Sequence, residues 1–137
     1  MKQSTFYFDI EKFADKLYGR GRTFARKLCM DIDRGVVLST PVRTGRARGG
    51  WLVGLNLIND TPTIEDETGQ ATIDENNREI NKLILGDIVY ISNNVNYVQF
   101  LERGSSKQAP NGMVAKTLRR FPQILREAVV EAKKEHP

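Results

Sequence analysis

Residues Thr40 to Trp51 read TPVRTGRARGGW, and the way this stretch folds sets the architecture on both sides of it. Thr40 precedes a proline, which pushes it out of the helical region, and Pro41 cannot continue a helix. Gly45 permits a positive φ and Thr44 can hydrogen-bond the local backbone, so Thr40, Pro41, Thr44 and Gly45 form a turn. Gly49 and Gly50 then allow close backbone approach, and Trp51 supplies a large core anchor. One element ends in this stretch and another begins.

Upstream lies a long helix. Asp9 is placed to cap it and Glu11 to complement its positive end, although Lys12 breaks the capping box. Phe13, Leu17, Phe24, Leu28 and Ile32 share a stripe about 100° wide, with Arg22 and Arg26 on the opposite side. Gly19 and Gly21 weaken the interior by about 1 kcal/mol each and allow a bend. The helix should end near Leu38.

Downstream, Trp51 to Ile58 alternates as a strand, and a polar acidic connection follows. Thr72 and Glu75 form a capping-box pattern, Ile73, Ile80, Leu83 and Ile84 keep helical spacing, and Gly86 is a stop. Asp87 to Ser92 reads as a second strand closed by Asn93-Asn94. Val95 to Arg103 reads as a short helix, with Tyr97, Phe100 and Leu101 completing the core and Gly104 ending it. The last segment sets Val114, Leu118, Phe121, Leu125, Ala128, Val129 and Ala132 on one core stripe, and Pro122 should kink or split it at Phe121.

A chain of 137 residues with 39% hydrophobic residues supports one core, so residues 1–137 read as a single domain, with 59–72 an acidic loop and 133–137 a frayed C-terminus. No stretch reaches the roughly eighteen apolar residues of a membrane span, and no leader pattern opens the chain, so a soluble, unprocessed protein is expected. Cys29 stands alone, which excludes an internal disulfide and a multi-cysteine zinc site. The single histidine, His136, sits next to the last residue, a poor place for a catalytic group that must be held in position. No phosphate loop or HExxH pattern occurs, and Glu65, Asp66 and Glu67 read as a solvated turn rather than a calcium site. No enzyme, metal or cofactor is expected.

Charge alternates along the chain. Lys16 to Arg48 carries nine basic and two acidic residues, Asn59 to Asp87 two basic and eight acidic, and Glu102 to Glu135 eight basic and four acidic. Such blocks suit solvated helix faces, surfaces of opposite sign that meet between copies, or a basic face turned to nucleic acid. Arg43, Arg46 and Arg48 could serve as a flexible phosphate-contacting arm, and sequence-independent nucleic-acid binding is the alternative function.

The ordered set of motifs resembles the tail-completion, or neck, proteins of tailed bacteriophages. Thr40 to Arg46 matches a Thr-Pro-Val-x-Thr-Gly-Arg turn leading to the aromatic-headed strand at Trp51. Tyr97, Leu101, Glu102 and Gly104 match a short helix, and Gln108 to Met113 matches a Gln-Ala-Pro-x-Gly-Met loop. The x position, often acidic in the family, is Arg43 here. The resemblance covers about residues 5 to 130.

What it implies is an α+β fold, a small mainly antiparallel sheet packed against long N-terminal and C-terminal helices. The implied function is a structural virion protein in the neck, assembled in the host cytoplasm. Copies of it, expected to number six, would form a ring. The ring would join the head connector or adaptor proteins to the tail terminator or tail tube, leaving a channel through which genomic DNA passes without sequence-specific binding. Ring closure needs two different patches on each copy. The acidic stretch Asp60 to Glu79 facing a basic stretch would meet that need, with Arg43, Arg46, Arg48, Glu65, Asp66, Glu67 and Glu102 as contact residues. No membrane partner is implied.

Overall fold

The computed structural model describes residues 2–137, and for residues 2–11 and 13 the backbone alone. Helix α1 spans Lys2–Ser39. Asp9 therefore lies inside it rather than at its start, and the side chains of Asp9, Glu11 and Phe13 lie outside the described residues. A 3-10 turn at Arg48–Gly50 leads into β1, Trp51–Leu55, which pairs antiparallel with β2, Val89–Asn93, in the register Trp51 to Asn93 and Leu55 to Val89. Helix α2, Gln70–Ile80, lies between the strands in sequence. After β2 come α3, Val98–Glu102, α4, Val114–Arg119, and α5, Phe121–Glu135. The chain is α+β: a two-stranded ribbon packed by long terminal helices. No helix among the described residues is long and apolar enough to cross a membrane.

Several boundaries moved for local reasons. β1 stops at Leu55 because Asn56 takes a positive φ of 66°. Residues 57–66 then double back along the outer edge of β1, where Asn59 Nδ2 donates to the Val53 carbonyl at 3.1 Å. α2 ends at Ile80, short of Gly86, and Ile84 is exposed. β2 begins two residues later than expected, at Val89. Pro122 splits the C-terminal segment, with Arg120 left between α4 and α5 and the proline in the first turn of α5.

The buried faces differ more. On α5, Ile124, Ala128 and Ala132 are buried, whereas Val114 and Leu118 of α4 and Leu125 and Val129 of α5, all in the expected stripe, are exposed. Tyr97, just before α3, and Phe100 within it are likewise exposed, and of the expected trio only Leu101 packs on the core of Val36, Val37, Trp51, Ile73, Ala109 and Met113. On α1, Phe24, Leu28 and Ile32 are half-buried and Leu17 is 49% exposed, while Asp33, Val36, Val37 and Thr40 lie deepest. Arg22 Nε donates to the Leu83 carbonyl at 3.1 Å and Arg26 Nη2 to the Asn81 carbonyl, so both arginines cap the chain leaving α2 instead of facing solvent.

Helix α1 passes through Gly19 and Gly21 unbroken. Their bare backbone serves packing: a Cβ on Gly19 would stand 2.8 Å from the His136 ring, and one on Gly21 3.1 Å from Leu85. The expected frayed C-terminus is tied down at the same place. Arg20 Nε donates to the His136 carbonyl at 2.6 Å, and the Thr23 hydroxyl lies 2.9 Å from His136 Nε2. Three well-placed contacts on an otherwise terminal residue outweigh its local tendency to fray.

Beneath the head of β1 sits a buried polar knot. Asn76 Nδ2 donates to Asp33 Oδ1 at 2.9 Å and to the Trp51 carbonyl at 3.1 Å, joining α1, α2 and β1. Asp33 Oδ2 has no partner. Burial pushes the Asp33 carboxyl up to about 7, and the Asn76 bond opposes this only in part. Burial, then the Asp33 charge, raises the Cys29 thiol, which leaves that cysteine little thiolate for reaction.

Candidate interface groove

The turn is held from within by Thr40. Its hydroxyl donates to the Val36 carbonyl at 2.6 Å and accepts from Trp51 Nε1 at 2.7 Å, so one buried oxygen links the helix end to the strand head. Gly45 takes a φ of 87°, and its carbonyl accepts from Gly49 N at 2.8 Å and Asp66 N at 3.0 Å. A Cβ there would stand 2.6 Å from the Asp66 backbone. The Thr44 hydroxyl accepts from Arg46 N at 3.3 Å.

Three of the expected contact residues turn out to be internal braces. Arg48 Nη2 donates to the carbonyls of Leu38, 3.1 Å, and Thr40, 2.9 Å, and Nη1 to that of Glu67, 2.8 Å. It neutralises the negative end of α1, where free carbonyls gather. Burial lowers its pKa from the ordinary arginine value, and the nearby Asp66 charge works the other way.

Asp66 caps α2. It accepts from Gly69 N at 3.0 Å and from both the amide and the hydroxyl of Thr72 at 2.8 Å. This displaces the expected capping box: Thr72 donates to Asp66, and Glu75 pairs with Arg78. Burial alone would raise the Asp66 carboxyl, but the bonds from Thr72, Gly69 and Thr68 outweigh it and hold the pKa below the ordinary value. Glu102 plays the same part for α4, accepting from Met113 N at 2.7 Å, Val114 N at 2.9 Å and Ala115 N at 3.0 Å. A charged group needed a partner, and here the partner is the protein's own backbone.

What remains outward forms a groove of about 760 Å³, floored by Val42, Ala47 and Leu101 and rimmed by Arg43, Arg46 and Glu65. Arg43, Thr44, Arg46, Glu65 and Glu67 are exposed. The Arg46 guanidinium lies 5.9 Å from the centre of the Tyr97 ring, within cation–π range. Gln108 joins the far wall to the turn with two bonds to one residue: Val42 N donates to its Oε1 at 2.9 Å, and its Nε2 donates to the Val42 carbonyl at 3.2 Å. Gly104, with a φ of 93°, ends α3.

Arg43, Arg46, Glu65 and Tyr97 thus meet at one groove. Arg48 and Asp66 lie behind it as braces, Glu67 lends Arg48 its carbonyl, and Glu102 is spent on α4. Gln108 stood in the sequence only as part of a loop pattern, and its role as a double clasp has no local signal. Among the described residues, no group of three or more His, Cys, Asp or Glu is placed to hold a metal ion. No family model, curated protein or solved structure matches this chain.

Proposed function

We propose that this chain is a non-enzymatic virion subunit of a tailed phage. It forms a ring at the head-to-tail junction that joins the connector to the tail and leaves a channel for DNA. One observation supports the reading above the rest. The stretch Thr40 to Arg46 lies about fifty residues before the other two that carry the resemblance, Tyr97 to Gly104 and Gln108 to Met113, yet it shares a single groove with Tyr97, Leu101 and Gln108 from them, clasped by Gln108 and Val42. Motifs that merely recur as turns have no reason to converge.

The geometry also narrows the contact set. Arg48, Asp66 and Glu102 are saturated by internal bonds, so Arg43, Arg46, Glu65 and Glu67 are the charges left for partners. A phosphate-binding arm loses one of its three arginines by the same count, which favours a docking role over nucleic-acid binding. Electron microscopy of particles made without this gene product tests the proposal. Separate DNA-filled heads and tails are the expected result, and normally joined virions would end it.

A further inference from the structure

The opposite end of the ribbon from the groove shows the reverse character. There β1 turns at Asn56 and the chain enters β2 through Asp87 and Ile88, tied by Asn56 N to the Ile88 carbonyl at 2.7 Å and by Ile88 N to Asn56 Oδ1 at 2.9 Å. This tip is rigidly built, yet Leu57 is 77% exposed, and Ile58 and Ile88 are each 58% exposed. Ile84 and Leu85 extend the same apolar surface. Aliphatic side chains so open, on a well-bonded tip, mark a surface that is covered in the working assembly.

The charges say by what. Residues 56–60 and 84–88 hold two carboxylates, Asp60 and Asp87, and no basic residue. The Ile84 amide, then the Asn56 side chain, hydrogen-bond Asp87 and lower its pKa, so it stays ionised. The groove at the other end has an apolar floor and two arginines on its rim against the single carboxylate of Glu65.

We propose that the tip of Leu57, Ile58 and Ile88 on one copy seats in the Val42–Ala47 groove of the next copy, with the exposed Asp60 set against Arg43 and Arg46 and the internally bonded Asp87 adding negative charge to the approaching face. A contact between opposite ends of one ribbon is heterologous and repeats from copy to copy, closing into a ring when the rotation per step allows. The opposed charges steer the approach and weaken with salt, and the aliphatic tip supplies the burial. The inference rests on the ring reading and names the two patches that reading requires.

Disulfide trapping in a Cys29→Ser background tests it, since Cys29 is the chain's one thiol. A chain carrying both Thr44→Cys and Ile58→Cys should give a ladder of covalent oligomers on oxidation. Each single variant alone should stay monomeric on a non-reducing gel, while an equal mixture of the two should give dimers and nothing larger. Native mass spectrometry of the unaltered chain reads ring formation in parallel. Rings without tip-to-groove cross-links overturn this interface and leave the neck reading standing. Dimers from Ile58→Cys alone also overturn it, because they show tip against tip. No oligomer under any condition, together with normal virions lacking the protein, overturns both. Ile58→Asp should weaken assembly at least tenfold with an unchanged melting curve, and undiminished assembly would count against the tip.

Discussion

At the groove end of the ribbon, charged and polar side chains are bonded back onto the protein: Arg48, Asp66, Thr40 and Gln108 each hold two or more backbone or side-chain partners. At the tip end the polar groups are equally well paired, but the aliphatic side chains of Leu57, Ile58 and Ile88 stay more than half exposed. The difference teaches where to look for contact residues in this protein. Of the three motif arginines Arg48 is consumed in building the turn, as Asp66 and Glu102 are in capping α2 and α4, because buried helix ends need their free amides and carbonyls satisfied. Unspent binding capacity lies in the open aliphatic groups and in the few charges on the groove rim.

The strongest test of how tightly the groove end is built uses pH. Between the ordinary carboxylate value of 3.8 and about 7, folded Asp33 keeps a proton that the unfolded chain has lost. Stability should therefore fall as pH rises through that window, by on the order of 4 kcal/mol, and level off above it. Urea midpoints at pH 5 and pH 8 should capture about 3 kcal/mol of this, Asp33→Asn should remove the fall, and a flat wild-type profile would refute it. Asp66 and Asp87 act in the opposite sense. Their lowered values mean that their contribution is present above 3.8 and is lost as pH drops further.

Asp66→Ala should cost about 3 kcal/mol, since it strips a charge-assisted cap from two amides and a hydroxyl. Chemical denaturation reads it, and a loss under 1 kcal/mol would mean that water replaces the cap. Thr40→Val keeps the shape but strands the buried Trp51 N–H, for a loss of about 2 kcal/mol by thermal melting. At the tip the expectation reverses: Leu57→Ser should change monomer stability by under ~0.5 kcal/mol while assembly fails. A large melting shift there would show that the tip is part of the fold and erase the contrast.

Much of the fold was legible in the sequence because its causes are local. Pro41 and Gly45 fix a turn whatever surrounds them, alternation through Val53 marks a strand, and Pro122 interrupts a helix. The site was legible only in outline. Arg43, Arg46, Glu65 and Tyr97 gather as a set, but Arg48, Asp66 and Glu102 carried the same charge signature and went to braces. Their partners lie up to nineteen residues away, as in Arg48 to the Glu67 carbonyl, and periodicity does not reach that far.

The sequence by itself determined the element types, the turn at Thr40 to Gly45, the Trp51 anchor and the break before α5. Only the tertiary structure decided which face of α5 is buried, that His136 docks against Gly19, and that the aliphatic groups beside Asn56 and Asp87 stay open. The physical reason is reach. Backbone preference acts over a few residues, whereas burial and hydrogen bonding are settled by whichever surface arrives from elsewhere in the chain.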